Sequence, residues 1–164
     1  MKTLYLIRHA KSDWKNTELT DFERTLNKRG LKDTPFMSKK LKELAFNPDH
    51  IISSPSQRTT TTVKLICEEI NYPLKDVCFD QSIYEASTNT LISLINLLPN
   101  NKNEIVIIGH NPSITELSNY LTDDYIGNMP TCSIVKIELE IDNWNEIVRG
   151  IGSQIFFIYP KAFA

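Results

Sequence analysis

Two arginines and two histidines of this chain stand where apolar stretches give way to polar residues. They are Arg8, His9, Arg58 and His110. Guanidinium groups match phosphate oxygens in geometry as well as in charge. A neutral imidazole can attack phosphorus, and a second imidazole can donate hydrogen bonds to the equatorial oxygens as negative charge spreads over them. These residue types together predict chemistry on a phosphoryl group.

Three short apolar runs precede these residues and predict the strands that position them. The runs are residues 4–7, 50–53 and 104–109. A continuous apolar run is typical of a strand that is covered on both faces of a parallel sheet. Ligands of open α/β sheets bind just outside the carboxyl ends of the strands. We therefore expect the polar clusters after the three runs to converge on one cleft.

Apolar residues recur at helical spacing between and after these strands. The stretches are residues 37–44, 63–70, 91–98 and 114–121. Pro35 falls within the first predicted helix and is expected either in its first turn or at a kink. Partial alternation over residues 131–140 and 144–159 predicts a terminal hairpin or edge strands. The pattern predicts a single α/β domain over residues 1–164, with helices on both faces of a mainly parallel sheet and the edge strands near the C-terminus.

Two predicted helix starts add positive potential to the same cleft. Ser54 is expected to be an N-cap, with Pro55 at the first helical position and Gln57 completing a capping box. Asn111 and Pro112 repeat the sequence of a cap followed by proline. The free N–H groups of two helix N-termini would then face the two arginines. Such a space is suited to an anion.

The composition is that of an ordinary globular protein. The chain of 164 residues has a formal charge of −2 and 41% hydrophobic residues, which calls for neither a nucleic-acid nor a membrane partner. Its 3 cysteines are widely separated and lack zinc-site spacing, which favours a reduced protein. The N-terminus enters a strand pattern without room for a leader. We therefore expect a cytoplasmic protein without a metal or cofactor.

Five short motifs follow one another along the chain. They are RHA at residues 8–10, DFERTLNKRG at 21–30, SPSQR at 54–58, YEAS at 84–87 and GHNP at 109–112. This ordered set resembles the signature of the histidine phosphatase superfamily, which has an RHG or RHA motif after the first strand. It is similar in particular to the small bacterial group of SixA-type phosphohistidine phosphatases. The resemblance implies a phosphoglycerate mutase-like fold.

The resemblance also implies roles for individual residues. His9 would be the nucleophile that carries a transient phosphoryl group, and Arg8, Arg58 and His110 would form the phosphate pocket. Arg24 would line the entrance and help to hold the substrate. Glu85 matches the position where larger relatives often have the general acid that protonates the leaving group.

Three further residues have two readings each. Ser12 either donates a hydrogen bond to phosphate or serves its own turn. Tyr84 and Trp14 either flank the pocket or only pack beside it.

His9 has to be neutral to attack, and the nearby arginines favour this because they disfavour imidazolium and so lower the pKa of the ring.

The sequence departs from the mutase branch of the family in two ways. That branch follows RHG with Glu-Ser and an Asn three residues later, whereas Ala10, Lys11, Ser12 and Lys15 occupy this stretch. The chain is also far shorter than the mutases and lacks the insertions that close over a sugar phosphate. Both departures predict an open, shallow site that suits a phosphorylated protein surface or a range of small phosphoesters.

The sequence therefore predicts a metal-independent phosphatase that hydrolyses phosphohistidine in proteins, or small phosphomonoesters, through a phosphohistidine intermediate. The predicted partner is a phosphate-bearing substrate, with a phosphorylated histidine phosphotransfer protein as one candidate. A phosphoglycerate-mutase-like phosphoryl transferase is the alternative enzyme. A phosphate-recognition module without turnover is the alternative that is not an enzyme.

Overall fold

The first strand lies in the interior of a six-stranded sheet. A computed structural model describes residues 1–164 of the chain. The strands are β1 (Lys2–Arg8), β2 (His50–Ser53), β3 (Cys78–Phe79), β4 (Glu104–Gly109), β5 (Ile134–Leu139) and β6 (Gly152–Ile158). Their order across the sheet is β3-β2-β4-β1-β5-β6. The neighbours from β3 to β1 are parallel, whereas β5 runs antiparallel to both β1 and β6. The mainly parallel sheet and the C-terminal hairpin are thereby confirmed.

Strand β1 supplies apolar residues to both faces of the sheet. Leu4 and Leu6 are buried in one hydrophobic core, and Tyr5 and Ile7 are buried in the other. Successive side chains of a strand point to opposite faces, so an unbroken apolar run is what a doubly covered strand requires.

Four helices cover the two faces. They are α1 (Lys28–Glu43), α2 (Gln57–Ile70), α3 (Thr88–Asn96) and α4 (Ser113–Leu121). Apolar residues of α1 and α2 belong to one core, and those of α3 and α4 to the other. The architecture is therefore the three-layer α/β/α sandwich that the sequence predicts. None of the helices combines the length and the apolar composition that crossing a bilayer requires.

Helix α1 continues through Pro35. It begins after Asn27, whose side chain accepts a hydrogen bond of 2.9 Å from the backbone N–H of Gly30. Thr34 donates its hydroxyl to the Gly30 carbonyl at 2.8 Å. The proline therefore lies in the interior of the helix and not in its first turn.

Helix α2 begins later than the sequence predicts. Its N-cap is Ser56, whose side chain accepts from the backbone N–H of Thr59. The prediction of Ser54 as the cap was wrong. The hydroxyl of Ser54 is instead 2.8 Å from Nε2 of His110. The side chain predicted to cap the helix therefore contacts a residue that is distant in sequence.

Helix α4 also lacks the predicted cap. Pro112 occupies the N-cap position and no side chain caps the helix. The amide nitrogen of Asn111 donates to the Asn128 side chain at 2.8 Å and to the Met129 carbonyl at 3.0 Å. The prediction of Asn111 as a cap was wrong because its side chain holds the loop before β5.

Candidate active site

The polar residues that follow β1, β2 and β4 meet in one cavity. Arg8 ends β1 and lies beside Gly109 at the end of β4, while Arg58 is in the first turn of α2. The cavity has a volume of about 180 Å³. Its walls include Arg8, His9, Lys11, Ser12, Trp14, Arg24, Arg58, His110, Asn111 and Thr131. The structure thus brings Arg8, His9, Arg58 and His110 together in one cavity.

His9 is held in one tautomer. Its Nδ1 is 2.7 Å from the carbonyl oxygen of Ala10, and a carbonyl can only accept, so Nδ1 carries the proton. The lone pair of the neutral ring is then on Nε2. Burial, followed by the charges of His110, Arg58 and Arg8, lowers the pKa of His9 to about 3, although the bond to Ala10 opposes this. The ring is therefore neutral at physiological pH, as nucleophilic attack requires.

His110 lies against His9. The two ring centroids are 5.3 Å apart, and Nε2 of His110 is 2.8 Å from the Ser54 hydroxyl. Nδ1 of the same ring is buried and has no hydrogen-bond partner. Burial and the Arg58 charge lower the pKa of His110 to about 4. Ser54 therefore orients a second neutral imidazole in the cavity wall.

Two arginines are anchored at their outer nitrogens. Nη1 of Arg8 donates to the Met129 carbonyl at 2.9 Å. Arg58 donates from Nη1 to the backbone carbonyl of Asp21 at 2.7 Å and from Nη2 to its carboxylate at 3.1 Å. Burial and the neighbouring Arg58 charge both lower the pKa of Arg8. The pair is held close together despite its like charge, which an anion would offset.

Asp21 joins three groups around the cavity. Besides Arg58, its carboxylate accepts from Nη2 of Arg24 at 2.8 Å and from the Tyr84 hydroxyl at 2.5 Å. The hydrogen bonds from Arg24 and Tyr84 hold the pKa of Asp21 well below its usual range. Sequence reasoning did not include Asp21 among the site residues. Its only signal was its position at the start of the DFER segment, three residues before Arg24.

Ser12 and Trp14 fix the third arginine. The Ser12 hydroxyl accepts a hydrogen bond from Nη1 of Arg24. The Arg24 guanidinium lies 3.6 Å from the centre of a Trp14 ring, a cation–π arrangement. All three residues line the cavity. In this structure Ser12 therefore positions Arg24, and Trp14 flanks the pocket.

Buried polar atoms without a partner are concentrated in the residues that line this cavity. Of 6 buried side-chain polar atoms without a hydrogen-bond partner, 4 belong to its walls. They are Nε of Arg8, Nε of Arg24, Nε of Arg58 and Nδ1 of His110. A buried donor without an acceptor costs about 1–3 kcal/mol, so such groups call for an explanation. An anion in the cavity would supply acceptors and negative charge to these arginine side chains, and none of the cavity's lining residues is acidic.

The structure does not bring Glu85 into this cavity. The residue is exposed, has a positive φ of 56° and is absent from the cavity walls. Its neighbour Tyr84 has its ring centroid 5.6 Å from that of His110. Burial and the hydrogen bond to Asp21 raise the pKa of Tyr84 to about 12. The role of Glu85 as a proton donor therefore stays a prediction, made for a side chain outside the lining of this cavity.

No three His, Cys, Asp or Glu side chains of this chain come together as a group that could hold a metal ion. The positive charge of the site comes from its arginines and from Lys11.

The site places a buried neutral histidine among arginines, at the carboxyl edge of a parallel sheet. These are the features of an α/β protein that binds anions at this edge. The family model described as histidine phosphatase superfamily (branch 1) matches residues 4–89, which is just over half of the chain. The chain belongs to this superfamily. An uncharacterised chloroplastic protein of Arabidopsis thaliana is 28% identical over 153 residues, which cover 88% of this chain and 70% of the relative.

Solved structures share the fold over almost the whole chain. A candidate phosphohistidine phosphatase SixA from Agrobacterium tumefaciens has a TM-score of 0.83 at 22% identity, covering 97% of this chain and 98% of that one. The protein histidine phosphatase SixA complexed with tungstate has a TM-score of 0.83 at 17% identity, covering 99% of each chain. A mycobacterial glucosyl-3-phosphoglycerate phosphatase is more distant, with a TM-score of 0.67 at 14% identity, covering 98% and 99%. These similarities confirm the predicted fold.

Proposed function

We propose that this protein is a phosphatase that forms a covalent phosphohistidine at His9. The observation that carries the proposal is the tautomer of the His9 ring. The hydrogen bond from Nδ1 to Ala10 leaves Nε2 as the nitrogen with a free lone pair, in a cavity lined by three arginines. Family membership supports the same chemistry.

In the first step Nε2 of His9 attacks phosphorus. The new N–P bond forms as the bond from phosphorus to the leaving group breaks, and the leaving group takes the electron pair and a proton from solvent. Arg8, Arg58 and His110 stabilise the negative charge that spreads over the equatorial oxygens. Nδ1 keeps its proton throughout, because it donates a hydrogen bond to the Ala10 carbonyl.

In the second step water attacks the phosphorylated enzyme. The water oxygen bonds to phosphorus, the N–P bond breaks, and its electron pair returns to Nε2 of His9. The two water protons remain with the product, which leaves as dihydrogen phosphate. The proposed reaction needs neither a metal nor a cofactor.

The lack of a carboxyl group in the cavity walls favours one substrate class. No carboxyl group lines the cavity, and Glu85 is exposed outside it. The leaving group of a simple alkyl phosphoester is a strongly basic alkoxide unless an acid protonates it. The leaving group of a phosphohistidine is a neutral imidazole once its ring is protonated. We therefore propose phosphohistidine as the preferred substrate over simple alkyl phosphomonoesters.

The test compares the parent protein with His9→Ala on a phosphohistidine peptide and on a panel of small phosphomonoesters. Orthophosphate release should fall about a thousandfold or more in the variant, as expected for loss of a nucleophile. His50→Ala is the matched control, because His50 is the third histidine and does not line the cavity. Unchanged release by His9→Ala would contradict the proposal.

The same samples separate the two alternatives. A mutase-like transferase needs a bisphosphate primer and retains its phosphoenzyme, whereas a phosphatase loses it to water. A recognition module binds phosphohistidine with no turnover in the parent protein. Mass spectrometry of the acid-labile phosphoryl group on His9, followed over time, distinguishes these outcomes.

A further inference from the structure

A second, larger groove adjoins the cavity of His9. It has a volume of about 550 Å³, against about 180 Å³ for the cavity itself. The two share Lys11, Ser12 and Trp14, so the groove continues outward from the phosphoryl site. Its charged lining comes from Lys11, Asp13, Lys15, Lys28 and Arg29. We call it the basic groove.

The basic groove has an excess of free positive charge. Lys11, Lys15 and Lys28 form no ion pair, and only Arg29 is paired, with Asp33 at 3.3 Å. This concentration stands out in a chain whose formal charge is −2. Such a local patch attracts and orients acidic partners.

The groove is held open by backbone contacts. The carbonyl of Lys11 accepts the backbone N–H of Asn27 at 3.0 Å, and the N–H of Asp13 donates to the Thr25 carbonyl at 2.7 Å. The Lys11 carbonyl also packs against Gly30 so closely that an added Cβ would lie 2.2 Å from its oxygen. The loop that holds the lysines is therefore fixed onto the start of α1, and the groove is formed before anything binds.

Trp14 is the aromatic residue of the groove, which Leu26 and Leu31 also line. It is 68% exposed, although one face of its ring lies against the Arg24 guanidinium. Tryptophan is enriched at protein recognition surfaces, where it supplies much of the binding energy.

The other large groove beside the cavity differs in charge. It has a volume of about 600 Å³ and meets the cavity at Asn111. Its charged residues are Glu116 and Arg149, which balance each other. Selection for acidic groups is therefore confined to the side of Lys15 and Lys28.

We infer that the basic groove binds an acidic segment next to the phosphorylated residue of a protein substrate. The inference rests on the proposed function, since it assumes that the phosphoryl group occupies the cavity of His9. A groove of about three times the cavity volume fits a peptide segment better than the remainder of a small phosphoester. Its free lysines then select acidic side chains, and Trp14 packs against the segment.

The first experiment compares two phosphohistidine peptides that differ only in their flanking residues. One has Asp and Glu where the other has Asn and Gln. The parent protein should show a kcat/KM about five- to tenfold higher for the acidic peptide, the size expected from two or three exposed charge pairs. The preference should shrink in high salt because exposed charges are screened.

The groove variant is Lys15→Glu/Lys28→Glu, which changes two exposed residues outside the cavity walls. It should lose the preference while its turnover of a small phosphoester stays within about twofold of the parent. Lys39→Glu/Lys64→Glu makes the same charge change at exposed sites elsewhere and should keep the preference. Lys15→Gln/Lys28→Gln replaces the groove variant if the latter does not fold. Equal kcat/KM for both peptides in the parent, or a preference that survives in the groove variant, overturns the inference.

A binding measurement separates this inference from the proposed function. Trp14 is exposed and Trp144 is fully buried, so quenching of tryptophan fluorescence reports on the groove. The unphosphorylated acidic peptide, added with excess orthophosphate to fill the cavity, should quench the parent but neither Trp14→Phe nor the groove variant. Quenching without turnover of any phosphorylated substrate would refute the proposed function and keep the groove as an acidic-peptide site. Turnover without quenching would refute the groove alone.

Discussion

Asp21 binds Arg58 twice, through its backbone carbonyl 2.7 Å from Nη1 and through its carboxylate 3.1 Å from Nη2. The same carboxylate also accepts from Arg24 and Tyr84. It lies outside the cavity walls and so acts on the anion only by positioning the arginines. A residue with no contact to substrate thus fixes two of the three guanidinium groups of the site.

We predict that Asp21→Asn lowers kcat/KM by about tenfold, the effect of losing roughly one charge-assisted hydrogen bond. The change should appear mainly in KM, because the arginines would be less well placed to hold phosphate while His9 is untouched. Tyr84→Phe removes a single hydrogen bond to the same carboxylate and serves as the control, with a smaller loss expected. Steady-state kinetics on one substrate provide the comparison, and an unchanged KM in Asp21→Asn would count against the role.

Ser54 and Ser56 allow activity and stability to be separated. Ser54→Ala should lower kcat about tenfold, because His110 loses the hydroxyl that orients it. Ser56→Ala should instead lower the free energy of unfolding by about 1 kcal/mol, because it removes the N-cap of α2. Kinetics and chemical denaturation of both variants test the assignment. A fall in kcat that is as large in Ser56→Ala would contradict it.

The two buried histidines should make the protein less stable in mild acid. Burial lowers the pKa of His9 to about 3 and of His110 to about 4, whereas the unfolded rings have a pKa of about 6.5. Below pH 6.5 the unfolded state binds protons that the folded state does not, so the free energy of unfolding falls as the pH drops towards 4. Urea denaturation at pH 7 and pH 5 measures this loss.

The control for the pH prediction is His9→Gln/His110→Gln, which should show a smaller loss between the two pH values. A residual slope is expected, because burial also lowers the pKa of His50. The same low pKa values predict activity without the acidic limb near pH 6.5 that an unperturbed histidine nucleophile would give. A parent and variant with equal pH dependence of stability would refute the assignment.

Filling the cavity with an anion should stabilise the fold. Tungstate or orthophosphate would accept hydrogen bonds from the arginine side chains of the cavity walls. At a concentration of 100 times Kd the gain is about 2.7 kcal/mol, which raises Tm by about 5 °C or more for a chain of this size. Differential scanning fluorimetry should show the shift in the parent and in Lys39→Ala. Arg8→Gln should abolish it, and a shift that persists there would place the anion elsewhere.

Gly30 tests how the loop of the basic groove is held. An added Cβ would lie 2.2 Å from the Lys11 carbonyl oxygen, so Gly30→Ala must displace backbone. We expect a loss of about 2 kcal/mol in the free energy of unfolding. Gly127→Ala is the matched control, because nothing lies within 4 Å of its added Cβ. Denaturant midpoints of the two variants measure this loss. Equal midpoints would show that the loop adjusts to the added methyl group with no loss of stability.

The parts of the fold that the sequence predicts depend on neighbouring residues. Continuous apolar runs identify β1, β2 and β4, and helical spacing identifies the four helices. The strand ends then bring Arg8, His9, Arg58 and His110 to one edge, because parallel strands finish on the same side of a sheet. No knowledge of distant contacts was needed for either step.

The errors arise where distant residues compete for a side chain. Ser54 and Asn111 have the sequence pattern of helix caps, but His110 binds the first and the loop at Asn128 binds the second. Asp21 was missed for the same reason, since its partner Arg58 is 37 residues away. Local propensity cannot reveal such pairings, and they lie around the candidate site.

The pairing of β1 has a consequence for the order of events on the ribosome. Its neighbours are β4 and β5, so Thr3 pairs with Glu104 on one side and with Glu138 on the other. Strand β1 is therefore synthesised before both of its partners, and its apolar residues stay uncovered until β4 and β5 follow. Contacts this distant in sequence slow folding. The cavity of His9 is therefore completed only after His110 and Thr131, which follow Arg8 by more than half of the chain, have been synthesised.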